Sequence, residues 1–317
     1  MNTYNIIYSS SDEYAPYCLT SMLSLLTNNT DLERIRFFVL SNGISDEMKN
    51  LMTSFLETEK SNIIFIETEV LKSKLKDLKF NFNISSFLRI FIPDIMPKDI
   101  EKALFIDSDT LVFNGIKELY ETNIEEKYCA AVLDQPIWKD LCEESKISVD
   151  DGIINAGVLL LNIKLWREDK VKEQILEFYF NNGANFKTDD QAVINAVCRS
   201  KMVILPYKYN AMRNIFYFSY KKFYYMNYPV GRRGLKEYNE AKTHPVIVHF
   251  NSPDIRPWEK WCAHPMCSAF REEFIKHTDK LNLKSPKAST LKCVLKYIKH
   301  KIFDKIESTI NYSWKGE

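Results

Sequence analysis

Short apolar runs alternate with helix-patterned stretches through the first hundred residues, and few folds accept that order. Residues 4–9 read as a buried strand, and residues 14–26 repeat apolar side chains at helical spacing. Residues 35–40 form a second strand and 45–56 a second helix, opened by a serine suited to cap it. Residues 62–66 form a third strand. Strand, helix, strand, helix, strand builds βαβ units, which make a largely parallel sheet covered by helices on both faces. Residues 85–92 read as a short helix stopped by Pro93, and 103–106 as a fourth strand. Strands are also predicted at 130–133, 157–162, 202–205 and 246–250, and helices at 170–181 and 190–198. The class is α/β: a Rossmann-like, mixed and mostly parallel sheet flanked by helices.

The 317 residues carry 43 Lys+Arg against 42 Asp+Glu, a formal charge of +1. That balance argues against a nucleic-acid binder, which needs a basic excess. At 45% hydrophobic and 27% charged, the chain has ample material for a globular core. No run approaches the roughly 20 apolar residues of a membrane-spanning helix, and the first residues lack the pattern of a secretion signal. The seven cysteines are scattered, and Cys262 and Cys267, the nearest pair, have no second pair to complete a zinc site. Reduced thiols in a cytoplasmic protein are expected.

The last segment departs from the rest. Residues 280–317 hold nine lysines against three acids, so the remainder is net acidic. Leu291, Val294, Leu295, Ile298, Ile302, Ile306 and Ile310 follow helical steps, and Lys292, Lys296, Lys299 and Lys305 fall off that stripe. The organisation predicted is one α/β domain over 1–279 and a basic amphipathic helical tail over 280–317. Such a tail either anchors the chain peripherally at the inner face of the cell membrane or packs its stripe on the body.

Chemistry concentrates at Phe105-Ile106-Asp107-Ser108-Asp109, where a buried strand runs into two carboxylates. Ligands of open α/β sheets bind at the carboxyl ends of strands. Side chains at i and i+2 of an extended chain point the same way, so both acids can reach one hard cation. A cation there can neutralise a departing diphosphate. Four other segments join this one. Arg89 is the one cation of the segment Phe87-Leu88-Arg89-Ile90-Phe91-Ile92-Pro93, in the otherwise apolar helix 85–92, and Asn155-Ala156-Gly157 leads into a buried strand. Asp190 and Gln191 stand at a helix start, and His249 ends a buried strand before Arg256-Pro257-Trp258.

In this order, the five segments resemble glycosyltransferase family 8, the retaining enzymes of GT-A fold that include bacterial lipooligosaccharide galactosyl- and glucosyltransferases and glycogenin. The similarity covers residues 4–275. It implies a UDP-hexose donor (UDP-glucose or UDP-galactose), Mn²⁺ with Mg²⁺ as the alternative, and transfer with retention of anomeric configuration. On this resemblance Asp107, Asp109 and His249 hold the metal. Arg89 grips the donor sugar and diphosphate, and Asn155 and Ala156 line the donor sugar. Asp190 binds sugar hydroxyls, and Gln191 stands near the anomeric carbon. Ser9, Ser11, Asp12 and Tyr14 surround the uridine, with Tyr14 stacking on the base and either Ser11 or Asp12 reading the uracil. Ser108 borders the nucleotide, and Arg256 takes the place of the family's diphosphate-binding lysine. The sequence departs from the family at Ser252, where glycine is usual, and by one extra residue before Arg256.

The reading is transfer of a hexose to a cell-surface glycan, either lipopolysaccharide-type or glycoprotein-borne. No carboxylate of the set is an obvious double-displacement nucleophile, and the resemblance suggests front-face attack. The alternatives are a glycogenin-like self- or protein-priming glucosyltransferase and a non-catalytic nucleotide-sugar-binding protein. Asp134 and Gln135 suggest acceptor contacts, and Phe216, Tyr217, Phe218 and Tyr220 a sugar-stacking face.

Overall fold

A computed structural model describes residues 3–58, 61–69, 71, 84–136, 138–182, 190–227, 233–251, 256–259, 262 and 264–281. The tail predicted over 280–317 lies outside the described residues beyond Leu281.

The alternating apolar runs form β1 (Thr3–Ser11), β2 (Arg34–Asn42) and β3 (Asn62–Glu67), separated by helices α1 (Ala15–Thr27) and α2 (Asp46–Thr58). Ile6, Ile7 and Tyr8 are consecutive and wholly buried, as expected of a strand covered on both faces. Next come β4 (Lys102–Ile106), β5 (Thr110–Val112), β6 (Cys129–Leu133), β7 (Ile154–Asn162) and β8 (Met202–Leu205). One seven-stranded sheet has the order β3-β2-β1-β4-β7-β6-β8. β1 pairs in parallel with both β2 and β4, β2 with β3, and β6 with β8, whereas β7 runs antiparallel to β4 and β6. The sheet is therefore mixed and mostly parallel, as the pattern predicted.

From β1 the chain first winds outward through β2 and β3, then returns to place β4 on the other side of β1. The strand order reverses between β1 and β4, and at such a switch point the carboxyl ends open a crevice. Ser9–Ser11 and Asp107–Asp109 both emerge there.

The sequence pattern gave no sign of a second, three-stranded sheet, in which β10 (Ile247–His249) lies between β5 and β9 (Ala211–Met212). In the antiparallel β10–β5 register His249 faces Thr110, the residue after Asp109. The Phe250 N–H adds a hydrogen bond to the Asp109 carbonyl at 2.9 Å. A smaller apolar cluster of Leu111, Val248, Phe250, Trp258, Phe270 and Phe274 supports this sheet. Tyr17 of α1 stacks on Trp258, ring centroids 3.8 Å apart, fastening the segment that carries Arg256 to the first helix.

Two expectations are corrected. Pro93 does not stop a helix. Residues Ile84–Phe87 are α-helical, Leu88–Phe91 tighten to a 3-10 turn, and Pro93 sits in the first turn of Ile92–Ile95, where its missing N–H costs nothing. The cysteines are not all reduced either. Cys262 and Cys267 form a disulfide across the turn into the last described helix, Cys267–Leu281, while Cys18, Cys129, Cys142 and Cys198 are buried thiols. No helix among the described residues is long and apolar enough to cross a membrane.

Candidate active site

A cavity of about 960 Å³ opens at the switch point between β1 and β4. Its floor is the acidic turn after β4. The Asp107 N–H donates to the Gly157 carbonyl of β7 at 2.8 Å, which sets that acid beside the 155–157 segment. Ser108 turns inward and its Oγ donates to the Ser9 carbonyl at 2.9 Å, stitching the turn to β1. Asp109 then meets His249, whose Nε2 lies 3.2 Å from Asp109 Oδ1 and 3.8 Å from Asp107 Oδ2.

Asp107, Asp109 and His249 each present a ligand atom, and these atoms lie within 4.8 Å of one another. Two carboxylates and one imidazole are hard and borderline donors, a set that suits Mn²⁺ better than Mg²⁺ or Ca²⁺. The residues present thus fit one shared divalent cation. Burial holds the His249 imidazole below its ordinary pKa, against the opposing pull of Asp107 and Asp134, and so favours the neutral ligand form. Gly157 lets two of the three come together, since nothing but a hydrogen at its Cα leaves room for the His249 ring and the Asp107 carboxylate.

Arg89 links this cluster to the helix Asp190–Cys198. Its Nη2 donates to Asp107 Oδ1 at 3.0 Å, its Nη1 to the Ala156 carbonyl, and its Nε lies 2.7 Å from Asp190 Oδ2. The guanidinium also lies over the Phe105 ring at 4.5 Å, which fills the space behind it. One buried cation thus bridges the two acids that the sequence places far apart.

Gln191 is held from both ends. Its Nε2 donates to Asp134 Oδ2 at 2.7 Å, while its Oε1 accepts from the Ala156 N–H and Asn155 Nδ2, each at 3.3 Å. Burial pushes the Asp134 carboxyl above the usual carboxylate range, although hydrogen bonds from Gln191 and the Gln135 N–H oppose it. On the opposite wall Tyr14 directly precedes α1 and meets Trp258 edge-on at 5.6 Å. The Arg256 guanidinium lies 5.9 Å from the Tyr14 ring, bonds the Asp109 carboxylate and donates to the Phe250 carbonyl at 3.0 Å.

Ser9, Ser11, Tyr14, Arg89 and the whole acidic turn line this one cavity, as do Asn155, Ala156, Asp190, Gln191, His249 and Arg256. Asp12 does not. Its Oδ1 accepts from the Ser45 N–H at 2.8 Å and Ser45 Oγ at 2.7 Å at the start of α2, and Glu13 faces the cavity instead. Asp134 and Gln135 line it, but among the described residues Phe216, Tyr217, Phe218 and Tyr220 do not. Phe216 and Tyr217 pack on His264, and Tyr220 on Tyr238. The sequence reading missed Trp138, half exposed at the cavity, and Asn210, wholly buried behind His249. Asn210 ends a Pro-Tyr-Lys-Tyr-Asn turn after a short strand, a local pattern with no marker of function.

A family model described as glycosyl transferase family 8 matches residues 5–262. The chain is 25% identical over 273 residues to general stress protein A of Bacillus subtilis, covering 85% of this chain and 91% of that one. It is 24% identical over 275 residues to the lipopolysaccharide 1,3-galactosyltransferase of Salmonella typhimurium, covering 84% and 76%. Among solved structures it resembles the galactosyltransferase LgtC crystallised with donor and acceptor sugar analogues. That likeness has a TM-score of 0.73 at 22% identity, covering 86% of this chain and 95% of the other. It establishes the shared GT-A fold.

Proposed function

The chain belongs to glycosyl transferase family 8 and is a glycosyltransferase of GT-A fold, and from that premise we propose that it moves glucose or galactose from a UDP-sugar to a hydroxyl of a cell-surface glycan, with retention and with Mn²⁺. The observation that carries this reading is the convergence of Asp107, Asp109 and His249 within 4.8 Å on the floor of the same cavity that Arg89, Asp190 and Gln191 line.

When bound, the cation supplies positive charge to the diphosphate leaving group. Asp107, Asp109 and His249 hold it, and the Arg256 guanidinium donates to a phosphate from the side of Tyr14. Negative charge on the departing UDP is the largest that develops, so these groups carry most of the catalysis. Asp190 accepts from donor-sugar hydroxyls, held in place by the Arg89 guanidinium, whose Nε lies 2.7 Å from its Oδ2. The pairing of Asp190 with Arg89 supports a front-face route over a carboxylate nucleophile: a leaving phosphate oxygen takes the acceptor's proton as the acceptor oxygen attacks. The Gln191 carbonyl, fixed by Asn155 and Ala156, stabilises the positive charge that builds at the anomeric carbon. Ser9, Ser11, Ser108 and Tyr14 form the wall for the nucleotide. The lysine-rich segment 280–317 supports an acceptor presented at an anionic membrane surface.

The test is UDP release with Mn²⁺ from UDP-glucose, UDP-galactose and UDP-N-acetylglucosamine, without acceptor. Slow hydrolysis of one hexose donor, abolished by EDTA, is expected. Failure to bind any of the three by calorimetry overturns the UDP-sugar reading.

A further inference from the structure

Asn210 ends the 3-10 turn Tyr207–Asn210 that leads into β9, and it is fully buried. Its carboxamide stands between two parts of the active site. Asn210 Nδ2 donates to Asn155 Oδ1 at 2.9 Å, and Asn210 Oδ1 lies 3.0 Å from His249 Nδ1. The main chain fixes which way these amides face. The Gly157 N–H donates to the same Asn155 Oδ1 at 3.0 Å, so that atom is an oxygen. Asn210 must then turn its NH₂ toward Asn155 and its oxygen toward His249. A carbonyl oxygen accepts only, so His249 carries its proton on Nδ1 and its Nε2 lone pair faces Asp107 and Asp109.

The relay continues on the other side of Asn155. Asn155 Nδ2 donates to Gln191 Oε1 at 3.3 Å, and Gln191 Nε2 donates to Asp134 Oδ2 at 2.7 Å. The run His249–Asn210–Asn155–Gln191–Asp134 is continuous, with its amide orientations set by the backbone N–H groups of Gly157 and Ala156.

We propose that Asn210 is a positioning residue of this enzyme: it fixes the tautomer and ring plane of His249 for a divalent cation and, through Asn155, ties that ligand to Gln191. The inference rests on the metal reading above. Groups behind a metal-bound imidazole orient the ring and raise its basicity, and their loss costs about 10–100-fold in metal affinity.

The experiment titrates the metal-free full chain, with UDP present, with Mn²⁺ and separately with Mg²⁺. Wild type, Asn210→Leu and Asn210→Asp are compared, and melting temperatures are measured alongside. Asn210→Leu keeps the side chain's shape and removes its acceptor, so Mn²⁺ affinity is expected to fall about 10–100-fold. Mg²⁺ affinity is expected to fall much less, because a nitrogen donor matters more to Mn²⁺. Asn210→Asp still accepts from His249 Nδ1–H and is expected to bind Mn²⁺ better than Asn210→Leu. Wild-type Mn²⁺ affinity in Asn210→Leu would overturn the proposal. So would an equal loss of both cations that Asn210→Asp does not relieve, since that marks general damage. If Asn210→Leu does not fold, a folded Asn210→Asp that has lost Mn²⁺ selectivity overturns it as well. Wild type binding neither cation is a different failure, which removes the metal role of His249 and this inference together.

Discussion

Gly157 lies directly against His249: a methyl group on its Cα would come within 2.2 Å of the imidazole Cε1 and 2.7 Å of Asp107 Oδ2. Two candidate metal ligands therefore share a space that only glycine leaves open. Gly157→Ala is expected to displace both and to abolish Mn²⁺ binding, at a cost to stability of about 1–3 kcal/mol from overpacking. Calorimetry with Mn²⁺ checks it, and unaltered binding would show that Asp107 and His249 do not hold one ion.

Asp109→Asn keeps the shape of the side chain and removes its charge. Transfer is expected to fall roughly 10²–10³-fold or more, the scale on which preorganised charge stabilisation is lost. The melting temperature should stay close to that of wild type, and full turnover in the variant would eliminate the metal role of this acid.

Arg89 is nine-tenths buried between Asp107 and Asp190, so its removal leaves two carboxylates without their cation. Arg89→Ala is expected to destabilise the fold by about 3–5 kcal/mol, read by urea denaturation. Arg89→Lys should rescue little, because a single ammonium cannot reach Asp107, Asp190 and the Ala156 carbonyl together. A lysine variant as stable and active as wild type would contradict this bridging role.

His264 predicts a pH dependence away from the active site. It packs among Phe216, Tyr217 and Phe250, and burial, with Arg213 adding to it, drives its pKa down to about 3. The lowered folded pKa means that the unfolded chain binds the extra proton below about pH 6.5. Stability from this group is complete above pH 6.5 and is lost as pH falls toward the folded value, by about 1.4 kcal/mol per pH unit. Denaturation between pH 5 and 6.5 should show a slope shallower by about one proton in His264→Gln. An unchanged slope would mean that His264 is charged in the fold.

The lysines off the apolar stripe of the last segment give a separate test. The full chain is expected to sediment with phosphatidylglycerol vesicles at low salt and not with phosphatidylcholine. Changing Lys292, Lys296, Lys299 and Lys305 to Gln should weaken that by about 1 kcal/mol per charge. Equal sedimentation with both lipids, or with neither, would rule out electrostatic membrane contact and favour packing on the body.

The alternating strands and helices were legible because their signals are local. Burial on both faces makes a strand a continuous apolar run, as in Ile6–Tyr8. The acids after β4 were legible for the same reason, since a strand that ends in Asp-Ser-Asp shows both its direction and its charge. Pro93 reads as a stop because proline marks the end of one helix and the first turn of another equally well, and only the change of helix type between Phe91 and Ile92 tells the two apart. The pairing of Cys262 with Cys267 was equally hidden, because spacing alone does not give the 6.4 Å between their Cα atoms.

The sequence by itself determined the class of fold, the identity of the acids and amides, and the family to which they belong. Tertiary structure decided which of them meet. His249 reaches Asp109 because β10 pairs antiparallel with β5 in one register, and a slip of one residue would turn the imidazole to the other face. Asp12, which from sequence belonged with the nucleotide loop, is drawn away to Ser45, and Asn210, which nothing marked, arrives behind the histidine. These outcomes depend on hydrogen bonds between segments remote along the chain, whose choice no window of neighbouring residues encodes.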